Sequence, residues 1–189
     1  MTEPDWALAA GRHPRLTFAA FCETHELVWT RFARAGRLGE PDVRRVVTRT
    51  REHLWQAWPI ALREHSTAAY AWRLLKEAIA VVTAERDAGG AREPAGDEQP
   101  WQEAACATVD RIGLRVRTWQ EKLAVHDALG RLSERHHDVL VLSYGLGLPD
   151  RRIADYLDTT EADVRARLRR ARATLERTFG SEQPPGSPR

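Results

Sequence analysis

Residues 124–179, AVHDALGRLSERHHDVLVLSYGLGLPDRRIADYLDTTEADVRARLRRARATLERTF, decide how this chain is read. Pro149 and Asp150 can start a short helix that runs to Leu157. Ile153, Ala154 and Leu157 then fall on one face at helical spacing. Asp158-Thr159-Thr160 supplies a turn and an N-cap for the next helix. In that helix Val164, Leu168, Ala171 and Leu175 recur at steps of four, three and four, which makes one apolar stripe. Ala154 is small where the two helices would cross closely. This is the layout of a helix-turn-helix, whose second helix enters the major groove.

The polar face of the second helix points the same way. Arg165, Arg167, Arg169, Arg170, Arg172 and Arg177 stand against Glu161, Asp163 and Glu176, a local excess of three positive charges. At about 100° per residue, Ala162, Ala166, Arg169, Arg170 and Ala173 lie opposite the apolar stripe, with Arg165 and Arg172 flanking it. Small alanines between arginines let a helix sit deep against base edges, while guanidinium groups reach guanine or phosphate. A solvated basic helix packed on its own domain is the plainer reading of the arginines alone. The short helix, turn and stripe in register favour the groove. Arg165, Ala166 and Arg169 are the expected base readers. Arg170, Arg172, Arg151 and Arg152 are the expected phosphate contacts, with Thr160 at the helix start.

Residues 126–176 resemble the −35-reading domain of extracytoplasmic-function sigma factors. His126-Asp-Ala-Leu-Gly-Arg-Leu132 resembles that family's opening, and Arg135-His-His-Asp-Val-Leu-Val-Leu142 its next helix. Arg152-Ile-Ala-Asp-Tyr-Leu157 and Asp163-Val-Arg-Ala-Arg-Leu-Arg-Arg-Ala-Arg172 resemble its helix-turn-helix. Two departures stand out: Asp163 where the family usually has threonine, and a lengthened Tyr144-Gly-Leu-Gly-Leu-Pro149 approach.

Composition sets the frame. A chain of 189 residues suits one or two small domains, and 42% apolar with 30% charged residues makes a folded, soluble class. The net charge is only +2, so a nucleic-acid role must rest on local clustering. Lysine stands only at 76 and 122; arginine supplies 27 of the 29 basic residues, which with abundant alanine fits a GC-rich bacterial coding sequence. Cys22 and Cys106 are far apart and form neither a disulfide framework nor a metal site, so a reducing cytoplasm is the simplest setting. No apolar run reaches the roughly 18 residues of a membrane span, and the N-terminus lacks a signal-peptide core.

Ahead of the quoted stretch the patterning is helical throughout, with no period-two alternation. Residues 1–15, holding Pro4, Gly11 and Pro14, read as a loose arm. A helix is expected over Leu16–Arg34, capped by Thr17, and a second over Asp42–Trp58, ended or kinked by Pro59. A third is expected over about Thr67–Arg86. Ala88–Pro100, AGGAREPAGDEQP, reads as a linker with nothing apolar to bury. A further helix is expected over Trp101–Lys122, and residues 180–189 read as a disordered tail. The expected fold is all-α: two small helical domains, 16–87 and 101–179, joined by the flexible linker 88–100, the second a helix-turn-helix.

That order resembles the same sigma family across most of the chain. Arg51-Glu-His-Leu-Trp-Gln-Ala-Trp58 and Tyr70-Ala-Trp-Arg-Leu-Leu-Lys-Glu-Ala-Ile79 resemble helices of the family's first, core-binding domain. The resemblance implies promoter DNA and RNA polymerase core as partners, and an anti-sigma factor or other regulatory protein beside them. Arg44, Arg45 and Arg49 depart from it, because the family carries an acidic cluster there that meets the polymerase clamp. Like charges brought together cost on the order of several kcal/mol. Ile79-Ala-Val-Val-Thr-Ala-Glu-Arg86 also offers a single arginine where the family has several basic residues, so weak capture of the melted −10 strand is expected.

Catalytic chemistry has no carrier in the sequence: no phosphate loop, no HExxH, no carboxylate pair, and so no cofactor or metal is expected. His136-His137-Asp138 does not converge on one ion, because adjacent helical residues point about 100° apart. Cys22 and His25 lack a third group, and a structural cysteine is expected. Trp55, Trp58, Tyr70 and Trp72 could stack on unpaired bases, but at helical spacing they read as core. The expectation is a sigma-factor-like initiation protein, not an enzyme. The alternatives are a sigma-derived regulator that forms no normal holoenzyme, or a helical protein-interaction module.

Overall fold

The structure, a computed structural model, describes residues 5–36, 38–88, 128–129 and 131–181, with the side chains of 5–13 and 178–181 excepted. Every regular element among them is helical. The expected linker and the helix over 101–122 lie outside the described residues, apart from Ala88. The expected tail does too, apart from Gly180 and Ser181.

Helix α1 spans Asp5–Ala35. The arm expected over 1–15 is therefore helical from Asp5 onward, straight through Gly11 and Pro14. The run Ala7-Leu8-Ala9-Ala10 explains the difference: strong helix formers outweigh a proline that removes one backbone donor. Thr17 is no cap; it lies inside the helix and donates its hydroxyl to the Pro14 carbonyl at 3.0 Å. The buried face carries Cys22, Val28, Trp29, Phe32 and Ala33.

Gly36 ends α1, its amide bonding back to Phe32 and Ala33. Helix α2, Glu40–Gln56, starts two residues after buried Leu38, with Pro41 in its first turn. Arg34 clamps the turn by a two-pronged bond to Glu40 at 3.0 and 3.1 Å, and that bond holds the Glu40 carboxyl below its ordinary pKa. Val43, Val46, Val47, Thr50 and Leu54 form the buried stripe of α2. Thr50 is satisfied within the helix, donating to the Val46 carbonyl at 2.8 Å. A short helix α3, Trp58–Ala61, follows at Pro59, where the sequence marks a break.

Helix α4, Thr67–Ala88, is capped by Ser66, whose hydroxyl accepts the Ala69 amide at 3.0 Å. Its buried face, Ala68, Ala71, Trp72, Leu75, Ala78 and Val82, alternates small and large residues. Alanines let α4 lie close to its neighbours, and Trp72 fills the space between: its ring meets Phe32 at 4.4 Å and Tyr156 at 5.2 Å. Trp58 and Trp72 are core, as their spacing suggests, and Tyr70 is half-buried. Trp55 is instead 41% exposed and packs edge-on against Phe18.

Three more helices follow: α5 (Glu134–Leu140), α6 (Asp150–Tyr156) and α7 (Glu161–Ser181). Between α5 and α6 the chain widens into a π turn over Val141–Gly145, with the Leu146 amide bonded five residues back to Val141. Gly147 follows in the left-handed region at φ 69°, where a side chain would be strained. The lengthened Tyr144–Pro149 approach is absorbed here, so α6 still arrives across α7.

The apolar packing of α1–α4 and of α5–α7 is continuous. Trp29, Phe32, Trp72 and Leu75 belong to the same buried cluster as Val139, Leu142, Ile153, Tyr156 and Val164. A smaller cluster of Ala128, Leu129, Leu140, Ala171 and Leu175 closes the far side. Fully burying one large apolar side chain contributes about 1.5–3 kcal/mol, so this seam is a substantial contact.

Candidate nucleic-acid interface

The two helices α6 and α7 are set by a tight turn. Asp158 sits at φ 46°, a left-handed position that a short polar residue tolerates. The Thr159 amide bonds back to Ala154 at 3.0 Å. Ile153 and Ala154 on α6 are buried, as are Val164, Ala171 and Leu175 on α7, with Leu168 half-buried between them. The stripe read from the sequence is the face that packs, and its opposite face is turned to solvent.

Thr160 caps α7. Its hydroxyl accepts the Asp163 amide at 3.2 Å and donates to the Asp163 carboxylate at 3.0 Å, while Thr159 also donates to that carboxylate at 3.2 Å. These hydroxyls hold Asp163 below its ordinary pKa, so it stays ionised. Asp163 in place of threonine thus closes a side-chain box at the helix start.

The arginines differ in what they touch. Arg169 and Arg170 are exposed and, among the described residues, form no ion pair. Ala162 and Ala173 are exposed beside them, and Ala166 is half-buried. Arg172 donates to Glu176 at 2.8 Å, one turn on, and stays exposed. Arg165 lies 3.4 Å from Asp150 and 3.6 Å from Glu161, yet its side chain is 52% exposed. Arg167 turns to Thr159 at 3.3 Å. On α6, Arg151 and Arg152 are both exposed, and the Arg152 charge lies near Tyr156. Of the eight residues singled out from sequence, the structure gathers Arg165, Ala166, Arg169, Arg170 and Arg172 along α7, with Thr160 engaged in the cap.

The arginines at 44, 45 and 49 line an open groove with Pro41, Thr48, Glu52 and Val82. Arg45 pairs with Glu85 of α4 and with Asp42 at 3.1 Å, and Arg49 lies 3.7 Å from Glu85. The basic strip is therefore partly neutralised by its own neighbours, a fact hidden by the long separation of Glu85 in sequence.

A set of polar residues that sequence reading missed joins α5 and α6 to the first four helices. Asp138 is buried and takes a hydrogen bond from Lys76 at 3.1 Å and another from Trp72 Nε1 at 3.4 Å. Lys76 also donates to Glu134 at 2.5 Å. Burial alone would lower the lysine pKa, but the Glu134 bond and the Asp138 charge leave it raised. Ser66 donates to Asp155, with its hydroxyl 2.7 Å from Oδ1 and 2.8 Å from the carbonyl. Asp138 was legible only as the third member of a pseudo-motif, His136-His137-Asp138. Among the described residues no three ligating groups converge as a metal site would need.

His25 and Tyr156 share a hydrogen bond of 2.5 Å across the same seam. Burial, with the Arg152 charge, pushes His25 down to about 4; burial pushes Tyr156 up to about 12. His25 is therefore neutral at pH 7. Once exposed it would titrate near its ordinary 6.5, so the opened or unfolded chain binds more protons between pH 6.5 and 4. Stability should fall as pH drops through that window, by on the order of 1–2 kcal/mol after allowance for partial exposure. Thermal melts at pH 7 and pH 4.5 check this: His25→Leu should lose less on acidification than the parent chain. Cys22, buried nearby, has its thiol pKa raised by burial and is a packing residue.

Comparison with known proteins agrees with this geometry. Residues 122–175 match the family model described as Sigma-70, region 4. A comparison with curated proteins found no match. A solved structure titled "Structure of CnrH in complex with the cytosolic domain of CnrY" is similar over 94% of this chain and 96% of that one, with a TM-score of 0.52 and 21% identity. The likeness is one of fold. Residues 122–175 are thus similar to a sigma-70 region 4, and α6 and α7 within them form the helix-turn-helix.

Proposed function

We propose that this chain is a sigma factor of the extracytoplasmic-function type, which lays α7 in the major groove of a −35-type promoter element and joins RNA polymerase core. The carrying observation is the outward face of α7: Arg169 and Arg170 are exposed on the side opposite the buried seam, with Arg165 and Arg172 exposed where they flank it. Arg165, Ala166 and Arg169 read bases; Arg170, Arg172 and Arg151 hold phosphates, and Thr160 fixes the helix start. Such a protein works in the cytoplasm and needs no catalytic group of its own. The similar chain solved with the cytosolic domain of CnrY supports a regulatory protein as a further partner, of the anti-sigma kind.

Duplex selection from a random pool, with co-purification of polymerase core, tests the proposal. A recurrent duplex motif together with core subunits supports it; neither one would remove it. A second reading, a DNA-binding regulator outside the holoenzyme, is favoured by the arginines at 44, 45 and 49 and by the docked seam. It requires the motif without the core subunits.

A further inference from the structure

Arg165 occupies an unusual place on the reading surface. Its guanidinium lies between Asp150, the first residue of α6, and Glu161, the first residue of α7. It thus bridges the starts of both helices of the helix-turn-helix. The third acid of this end, Asp163, is held by the hydroxyls of Thr159 and Thr160. The charge of α7 is therefore uneven. Its first turns carry Glu161 and Asp163, with Asp150 alongside, against Arg165 and Arg167. Its later turns carry Arg169, Arg170, Arg172 and Arg177 against Glu176.

We infer that Asp150 and Glu161 are positioning residues that hold Arg165 for base reading and keep it from serving as a phosphate clamp. The inference rests on the reading of α7 as the groove helix. Phosphate contacts carry no sequence information, and base contacts do. A guanidinium on a long, free side chain swings to the nearest phosphate. Bracketed by two carboxylates at Nη1, it is drawn toward one position, and neither carboxylate engages its Nε or Nη2. The same carboxylates repel phosphate, so the start of α7 gains little from a non-cognate duplex. Discrimination comes from the start of the helix, and salt-dependent grip from its later turns.

The test uses the full chain, the duplex it selects, and a scrambled duplex of equal composition. Asp150→Asn with Glu161→Gln should tighten binding to the scrambled duplex and steepen its salt dependence by about one phosphate contact. The preference for the selected duplex should fall roughly five- to tenfold. Asp150→Glu with Glu161→Asp, which keeps both charges, should retain most of that preference. In an Arg165→Ala background the neutral pair should tighten both duplexes alike, with no further loss of preference, as expected for residues acting through one partner. If Arg165→Ala lowers preference but the neutral pair does not, the positioning role is overturned and the groove reading stands. If Arg165→Ala leaves preference unchanged, the base-reading role of Arg165 falls and the positioning role falls with it.

Discussion

Lys76→Met is expected to destabilise the docked chain by about 3 kcal/mol, because it strands a buried carboxylate. Asp138 keeps only 4% of its side chain exposed, and Lys76 is its charged donor in the seam. The remaining contacts are weaker: Trp72 Nε1 at 3.4 Å and His137 Nδ1 at 3.6 Å. Lys76 itself is 29% exposed, which places the effect at the lower end of what removing one partner of a buried pair costs. Replacing both partners, Lys76→Met with Asp138→Leu, should recover most of the loss, since a well-packed apolar pair is close to neutral against a buried ion pair. Thermal melts of the two single variants and the double variant measure this cycle. Small-angle scattering adds a second readout, because the single variant should expand if α5–α7 part from α1–α4. Equal stability in all of them would mean that the ion pair does not hold the seam.

The double variant Arg165→Ala with Arg169→Ala is expected to lose on the order of 100-fold in preference between the selected and scrambled duplexes. A good base contact from arginine is worth about 1–3 kcal/mol of discrimination. Both side chains are exposed, and neither supports the buried seam of Val164, Leu168, Ala171 and Leu175. Folding should therefore be unaffected. Arg170→Ala is the contrasting case: it should weaken both duplexes alike and lower the salt dependence by about one contact. Competition binding across a salt series separates the two behaviours.

Much of the exposed arginine face of α7 is legible in the sequence because helices declare themselves by period. The steps from Val164 to Leu175 fixed which side of α7 is buried, and the arginines followed on the other. Ala154 gave the close crossing and Asp158–Thr160 the turn. The contacts between distant segments were not legible. Asp138 reads as a polar residue next to two histidines, and nothing local says that Lys76 and Trp72 meet it. Tyr156 falls outside the face of Ile153, Ala154 and Leu157 expected from the sequence, yet it is buried and its hydroxyl pairs with His25, 131 residues away. The charge at Arg45 and Arg49 reads in the sequence as a basic surface, but Glu85 lies beside it in the fold. Local breakers misled once, at Gly11 and Pro14, where a run of alanine and leucine carried α1 through. Thr160 reads in the sequence as both cap and DNA contact; its hydroxyl is engaged in the cap.

The most direct test is arginine-selective dicarbonyl labelling of the full chain, with and without its selected duplex, mapped residue by residue. Protection of Arg165, Arg169, Arg170 and Arg172 by the duplex, with Arg44 on α2 and Arg63 just after α3, both exposed, still reactive, is the expected result. Duplex binding that leaves those four as reactive as in the free chain would contradict a groove-bound α7.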